Sequence, residues 1–191
     1  MGYLRVMRKL SMAELERKSV EEFKGSAKFP IIVVLENIRS AYNVGAVFRT
    51  SDAFLIEAIY IIGYSAKPPH KEIKKTALGA EETVLWKYFK TTKEAIEELR
   101  KEKYKLYAVE QAENSYKLHA ASFKQNEHIA VIFGNEVTGV EQSTIDSCDG
   151  CIEIPQLGMK HSLNIATAAG VVLWELIRTK IAPSIKGRTE H

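Results

Sequence analysis

Ser162 and Asn164 stand at the mouth of a long, largely apolar segment, where ordinary packing has no use for a polar pair. The simplest reading makes both helix caps. A second group lies far upstream, where Asn43 and Arg49 share the run Asn43-Val44-Gly45-Ala46-Val47-Phe48-Arg49 and Arg39 sits just before it. Arg39 and Arg49 flank a loop at the carboxyl end of an apolar strand, the place where open α/β sheets bind ligands. The ordinary alternative for Arg49 is a surface pair with Asp52, worth a few tenths of a kcal/mol. An arginine, with a pKa above about 12, is a poor base, but its planar fork suits phosphate. The third group is Gly134-Asn135-Glu136, which breaks an apolar run sharply. Glycine serves where backbone turns against a ligand, and Glu136 can either line a site or cap the helix that follows. A long loop over 63–70, with Tyr64, Lys67 and His70, is followed by Lys71, Lys74 and Lys75, a mixture suited to phosphate contact and base stacking, although an exposed loop is polar in any case.

Several familiar chemistries are disfavoured. No G-x-G-x-x-G follows the first strand and no G-x-x-x-x-G-K-[ST] occurs, which disfavours a Rossmann nucleotide site and a nucleotide hydrolase. The two cysteines, Cys148 and Cys151, form a C-x-x-C without a second pair, so no metal is expected and both are read as free thiols.

The elements that must position these groups alternate in type. Apolar, β-branched runs at 31–35, 58–62, 106–109, 129–133 and 151–154 read as strands, with a shorter one at 83–86. Helical spacing marks 92–103, with Ala95, Ile96 and Leu99 inward, and helical character marks 140–147. Asn43 is the expected cap of one helix and Ser162 of the last, whose inward face is read as Leu163, Ala166, Ala169, Gly170, Leu173, Trp174 and Ile177. Ser11 and Glu14 suggest a capping box for a charged helix reaching to about residue 24. The pattern predicts an α/β sheet of five or six mostly parallel strands with helices on both faces, and taken alone it predicts an unknotted, doubly wound arrangement.

Length and balance fit one domain. With 191 residues, 46% hydrophobic and 27% charged, the chain has the composition of a globular protein. The net charge of +3 is modest, so nucleic acid would have to be met by one locally basic face. No signal segment and no apolar run of about 20 residues is present, so a cytoplasmic location away from membranes is expected. The division expected is a helical extension over 1–29, a main domain over 30–180 and a basic tail over 181–191.

As a set, the three polar groups carry a resemblance. Asn43-Val44-Gly45-Ala46-Val47-Phe48-Arg49, Phe133-Gly134-Asn135-Glu136-Val137-Thr138-Gly139 and Ile154-Pro155-Gln156-Leu157-Gly158-Met159-Lys160-His161-Ser162-Leu163-Asn164 resemble, in order and spacing, the three signatures of the SpoU family of the SPOUT superfamily. The resemblance covers about residues 30 to 180. It implies a C-terminal trefoil knot, in place of the unknotted sheet, and transfer of a methyl group from S-adenosylmethionine to a ribose 2′-hydroxyl of tRNA or rRNA, with a tRNA guanosine weakly preferred. It further implies a homodimer with sites at its interface. Arg49, Asn43, Glu136, Ser162 and Asn164 become the expected catalytic set. Backbone near Val109, Gly134, Ile154 and Leu163 is expected to hold the cofactor, while Arg39, Lys67, His70, Lys71 and Lys74 are expected to meet RNA. Two rivals are an inactive RNA-binding module of the same fold and a small-molecule enzyme binding an adenosine-containing cofactor.

Overall fold

The computed structural model describes residues 7–11, 14–15, 18–124, 126–159 and 162–181. Strand β1, Phe29–Glu36, contains Ile31, Ile32, Val33, Val34 and Leu35, all essentially without solvent contact. Such a run serves a strand covered on both faces. It pairs in parallel with β2, Ile56–Ile62, on one side and with β6, Ile129–Phe133, on the other, so that Val33 lies opposite both Ile59 and Val131. Strands β3 (Leu85–Phe89), β4 (Lys105–Val109), β5 (Tyr116–Lys117) and β7 (Gly150–Glu153) complete a seven-stranded sheet ordered β3-β2-β1-β6-β4-β7-β5, with every pairing parallel.

The seventh strand exceeds the five or six expected. It is β5, two exposed residues in a stretch without periodic pattern, held against Ile152 and Glu153 of β7. Residues 83–86 are also corrected: Ala80–Thr83 is a helical turn, α4, and the strand begins at Leu85.

Helices cover both faces. Ile31, Val33 and Leu35 face a core shared with α2 (Ala41–Ala53) and α7 (Ile165–Ile181), through Val44, Val47, Phe48, Ala169 and Leu173. Ile32 and Val34 face the other core, closed by Ala95 and Leu99 of α5, Thr92–Lys101. Helix α5 starts at a capping box between Thr91 and Glu94. Two shorter helices, α3 (Lys71–Ala77) and α6 (Gln142–Ile145), flank the loops discussed below.

Three caps differ from expectation. At the N-terminus α1 spans only Val20–Gly25 and is boxed by Ser19 and Glu22; Ser11 and Glu14 do bond each other, but no helix runs on from them through the described residues. Ser40, not Asn43, caps α2, its hydroxyl accepting from the Asn43 amide. Asn164, not Ser162, caps α7, its Oδ1 accepting from the Ala166 amide at 2.9 Å. The inward stripe of α7 is shifted as well: Ile165, Ala169, Val172, Leu173 and Leu176 are buried, whereas Leu163 and Trp174 are exposed. The tail expected at 181–191 lies outside the described residues beyond Ile181, as do Lys160 and His161 of the third signature.

Candidate active site

Three strands, β4, β6 and β7, deliver their carboxyl ends to one cleft at the edge of the sheet. This cleft, of about 700 Å³, is lined by Val109, the last residue of β4, and Glu110 just beyond it, Gly134 and Glu136 after β6, Ile154 after β7, and Ser162 and Leu163 before α7. All four positions expected to hold the cofactor therefore share one cavity, together with two of the five polar residues. The turn after β6 is tight because Gly134 has no side chain: a Cβ there would sit 2.2 Å from the backbone of Gly139 and Val140. Asn135 and Gly139 exchange backbone hydrogen bonds, and Asn135 Oδ1 accepts from the amides of Val137 and Thr138. This closed loop fixes where Glu136 points.

Glu136 reaches across to the loop after β1. Its carboxylate accepts from the Arg39 amide at 2.8 Å, the Ser40 amide at 3.1 Å and Asn43 Nδ2 at 2.8 Å. It thus satisfies donors at the start of α2 rather than capping α6. Burial pushes the carboxyl up, yet the bonds from Arg39, Asn43 and Ser40 together hold it below its ordinary value. Asn43 Oδ1 in turn accepts from Asn164 Nδ2 at 3.1 Å. One side chain, Asn43, therefore ties the three distant segments together.

Arg49 is not part of that knot of bonds. It lies on the exposed side of α2, six residues beyond Asn43, which on an α-helix means roughly 9 Å along the axis and about a third of a turn out of line. No hydrogen bond or ion pair engages it among the described residues, and Asp52, its expected surface partner, instead accepts from the Thr83 hydroxyl. Arg39 is exposed beside Glu136. Lys67, His70, Lys71 and Lys74 lie on the loop after β2 and the first turns of α3, with the Lys67 ammonium 3.9 Å from the Tyr88 ring centre. They form a separate surface, outside the cleft lining.

Sequence reasoning missed the supports beneath the site. Glu36, the last residue of β1, has no solvent contact and accepts from the hydroxyls of Thr92 and Thr144 and from the Glu141 amide. Next to it, Asn37 donates to Glu141, and its carbonyl accepts from Asn135 Nδ2, which also bonds the Tyr64 hydroxyl at 2.7 Å. An acid directly continuing an apolar strand was the available signal for Glu36. Nothing local marks the Asn37, Tyr64 and Asn135 cluster.

The arrangement suits an adenosine-bearing sulfonium. The cleft has the size of a small-molecule site, and it mixes aliphatic walls (Val109, Ile152, Ile154) with the carboxylates of Glu110 and Glu136, which complement positive charge. Among the described residues no group of side chains could hold a metal ion, and no helix is long and apolar enough to cross a membrane.

An all-parallel sheet with a glycine-turned cleft at its carboxyl edge, bridged through Asn43, Glu136 and Asn164, defines the methyltransferase class the signatures imply. The SpoU rRNA Methylase family profile matches residues 30–174, and the chain belongs to that family. It is 28% identical over 175 residues to a tRNA (guanosine(18)-2′-O)-methyltransferase of Thermus thermophilus, covering 92% of this chain and 88% of that protein. It is 27% identical over 170 residues to a 23S rRNA (guanosine-2′-O-)-methyltransferase of Vibrio parahaemolyticus, covering 88% and 67%. An AdoMet-bound rRNA methyltransferase from Sinorhizobium meliloti superposes with a TM-score of 0.74 at 24% identity, over 82% of this chain and 60% of that one.

Proposed function

We infer that this chain moves the methyl group of S-adenosylmethionine onto a ribose 2′-oxygen of RNA, with a tRNA guanosine as the acceptor. The observation that carries the reading is the Asn43 side chain, bonded at once to Glu136 and Asn164 beside the 700 Å³ cleft. Preference for tRNA follows the Thermus relative, which matches nearly end to end.

When bound, S-adenosylmethionine supplies an electrophilic methyl carbon on a sulfonium. The protein's part is placement and charge. Val109, Gly134, Ile154 and Leu163 offer backbone and aliphatic walls for the cofactor. Glu136 fixes the start of α2, Asn43 and Asn164 hold the facing loops, and Ser162 lines the cleft. Arg49, exposed on α2, binds the phosphate next to the acceptor ribose and stabilises the developing alkoxide. The proton leaves through that phosphate or water.

Because Arg49 lies outside the cleft of its own chain, the same reading places it in a homodimer, reaching the site of the neighbouring subunit. Exposed Val171 and Trp174 on α7 give that dimer an apolar face. The C-terminal trefoil knot belongs to this reading too, supported by the meeting of the loops after β4, β6 and β7. So does the division into an extension over 1–29, a methyltransferase domain over 30–180 and a tail over 181–191. A cytoplasmic location is supported by two free thiols. The experiment is transfer of labelled methyl from S-adenosylmethionine to unmodified tRNA and rRNA, with nuclease mapping of the product. A 2′-O-methylated guanosine in tRNA is expected. RNA binding without transfer would leave only the inactive module, and failure to bind RNA at low salt would favour a small-molecule substrate.

A further inference from the structure

A second cleft, of about 440 Å³, shares no lining residue with the methyl-transfer site, and the proposed reaction gives it no task. Its walls come from the loop before α3, the first turns of α3, helix α4 and strand β3, and they bring Trp86, His70, Lys71, Lys74, Glu81 and Glu82 together. Trp86 is half-buried on the edge strand and packs against the core, so its ring has a fixed place. His70 Nδ1 accepts from the Glu72 amide at 3.2 Å, which leaves the proton of the neutral ring on Nε2 as a donor. Glu82 has no side-chain partner among the described residues, and Glu81 spends one oxygen on the Gly79 amide.

These groups match the parts of one nucleotide. An indole offers a face for a base, ammonium groups neutralise phosphate, and a carboxylate accepts from ring or amino N–H groups of the base. We propose that this cleft receives one unstacked nucleotide of the RNA substrate, distinct from the acceptor, and so sets which RNA is held. The proposal rests on the RNA methyltransferase reading. It deepens it by turning the expected contacts of His70, Lys71 and Lys74 from a diffuse phosphate grip into a subsite centred on Trp86.

The two sites are mechanically joined. Gly45 of α2 meets α3 so closely that a Cβ would lie 2.4 Å from the Ile73 carbonyl oxygen, and Thr76 donates to the Tyr42 carbonyl. Helix α2 carries Asn43 and Arg49. A nucleotide held beside α3 is therefore held at a fixed offset from the reacting ribose.

The test uses the full chain and an unmodified tRNA transcript. Only two tryptophans occur, Trp86 and Trp174, so RNA should quench the emission of the wild-type protein and leave that of Trp86→Phe, which retains only Trp174, unchanged. Trp86→Leu should raise KM for RNA about tenfold, the size of a lost stacking contact, with kcat within twofold. Ribose 5-phosphate, which has no base, should not quench. Equal quenching in wild type and Trp86→Phe, or an unchanged KM for folded Trp86→Leu, overturns the subsite while leaving the methyl-transfer reading intact. Quenching lost in Trp86→Phe, with no methyl transfer by the wild type, would instead refute the reaction and keep the cleft as an RNA subsite.

Discussion

Asn43 Nδ2 donates to Glu136 Oε1 across 2.8 Å, joining two residues 93 positions apart in the chain. Because Asn43 Oδ1 is simultaneously engaged by Asn164, neither end of the amide is free to turn. Asn43→Ala and Glu136→Ala should each lower methyl transfer by about a hundredfold. In a double-mutant cycle on stability they should show a coupling of about 1 kcal/mol, since each removes the other's partner. Additive effects would show that the bond does not form in solution.

The Glu136 carboxyl, held below its ordinary value of 4.5, gives a pH signature. A depressed folded-state pKa contributes stability that is fully present above 4.5 and is lost as pH falls through the lower, folded value. The gap in melting temperature between wild type and Glu136→Gln should therefore be constant near neutrality and shrink below pH 4.5. A gap that widens on acidification would contradict the geometry.

Arg49 can be placed by subunit mixing. Arg49→Ala should change stability by less than about 0.5 kcal/mol, because the exposed side chain has no hydrogen bond or ion pair to lose among the described residues, while transfer falls by about two to three orders of magnitude. Mixing inactive Arg49→Ala and Glu136→Ala subunits should restore activity, since a mixed dimer has one complete site if the arginine acts across the interface. Silence after verified exchange would put Arg49 in its own subunit's site.

Glu36 supports the site from below. Glu36→Ala would strand the hydroxyls of Thr92 and Thr144 and the Glu141 amide in a dry interior, at a cost of about 3 kcal/mol. Denaturant unfolding measures it. Gly134→Ala, which must open the turn to Gly139 and Val140, should cost at least about 2 kcal/mol and weaken binding of S-adenosylmethionine, read by calorimetry.

Burial, with the neighbouring Cys151 adding to it, pushes the Cys148 thiol up to about 12. Its Sγ also bonds the Thr144 carbonyl at 3.2 Å. Little thiolate is present at pH 8, so alkylation of the native protein should be slow and should accelerate on unfolding, as mass spectrometry would register.

Much of this was legible beforehand where a local pattern and a structural demand coincide. β1 and β6 were evident because a strand buried on both faces must be apolar at every position, and residues 31–35 and 129–133 are. The signatures put Asn43, Glu136 and Asn164 into one expected set with Arg49 and Ser162, and in the fold the side chains of these three are hydrogen-bonded in a row. Cap identity was harder, since Ser40 and Asn43, or Ser162 and Asn164, are equally competent and lie two or three residues apart. The roles of Glu36 and of the Asn37, Tyr64 and Asn135 cluster arise only from contacts between segments remote in the chain, which no window of sequence displays.

The pairing of Ile31–Leu35 with Ile129–Phe133 has a bearing on synthesis. The middle of the sheet cannot zip until nearly a hundred further residues have left the ribosome, so the early strands must wait with an apolar edge uncovered. A chain stalled before residue 129 would present that edge to chaperones and to other copies of itself.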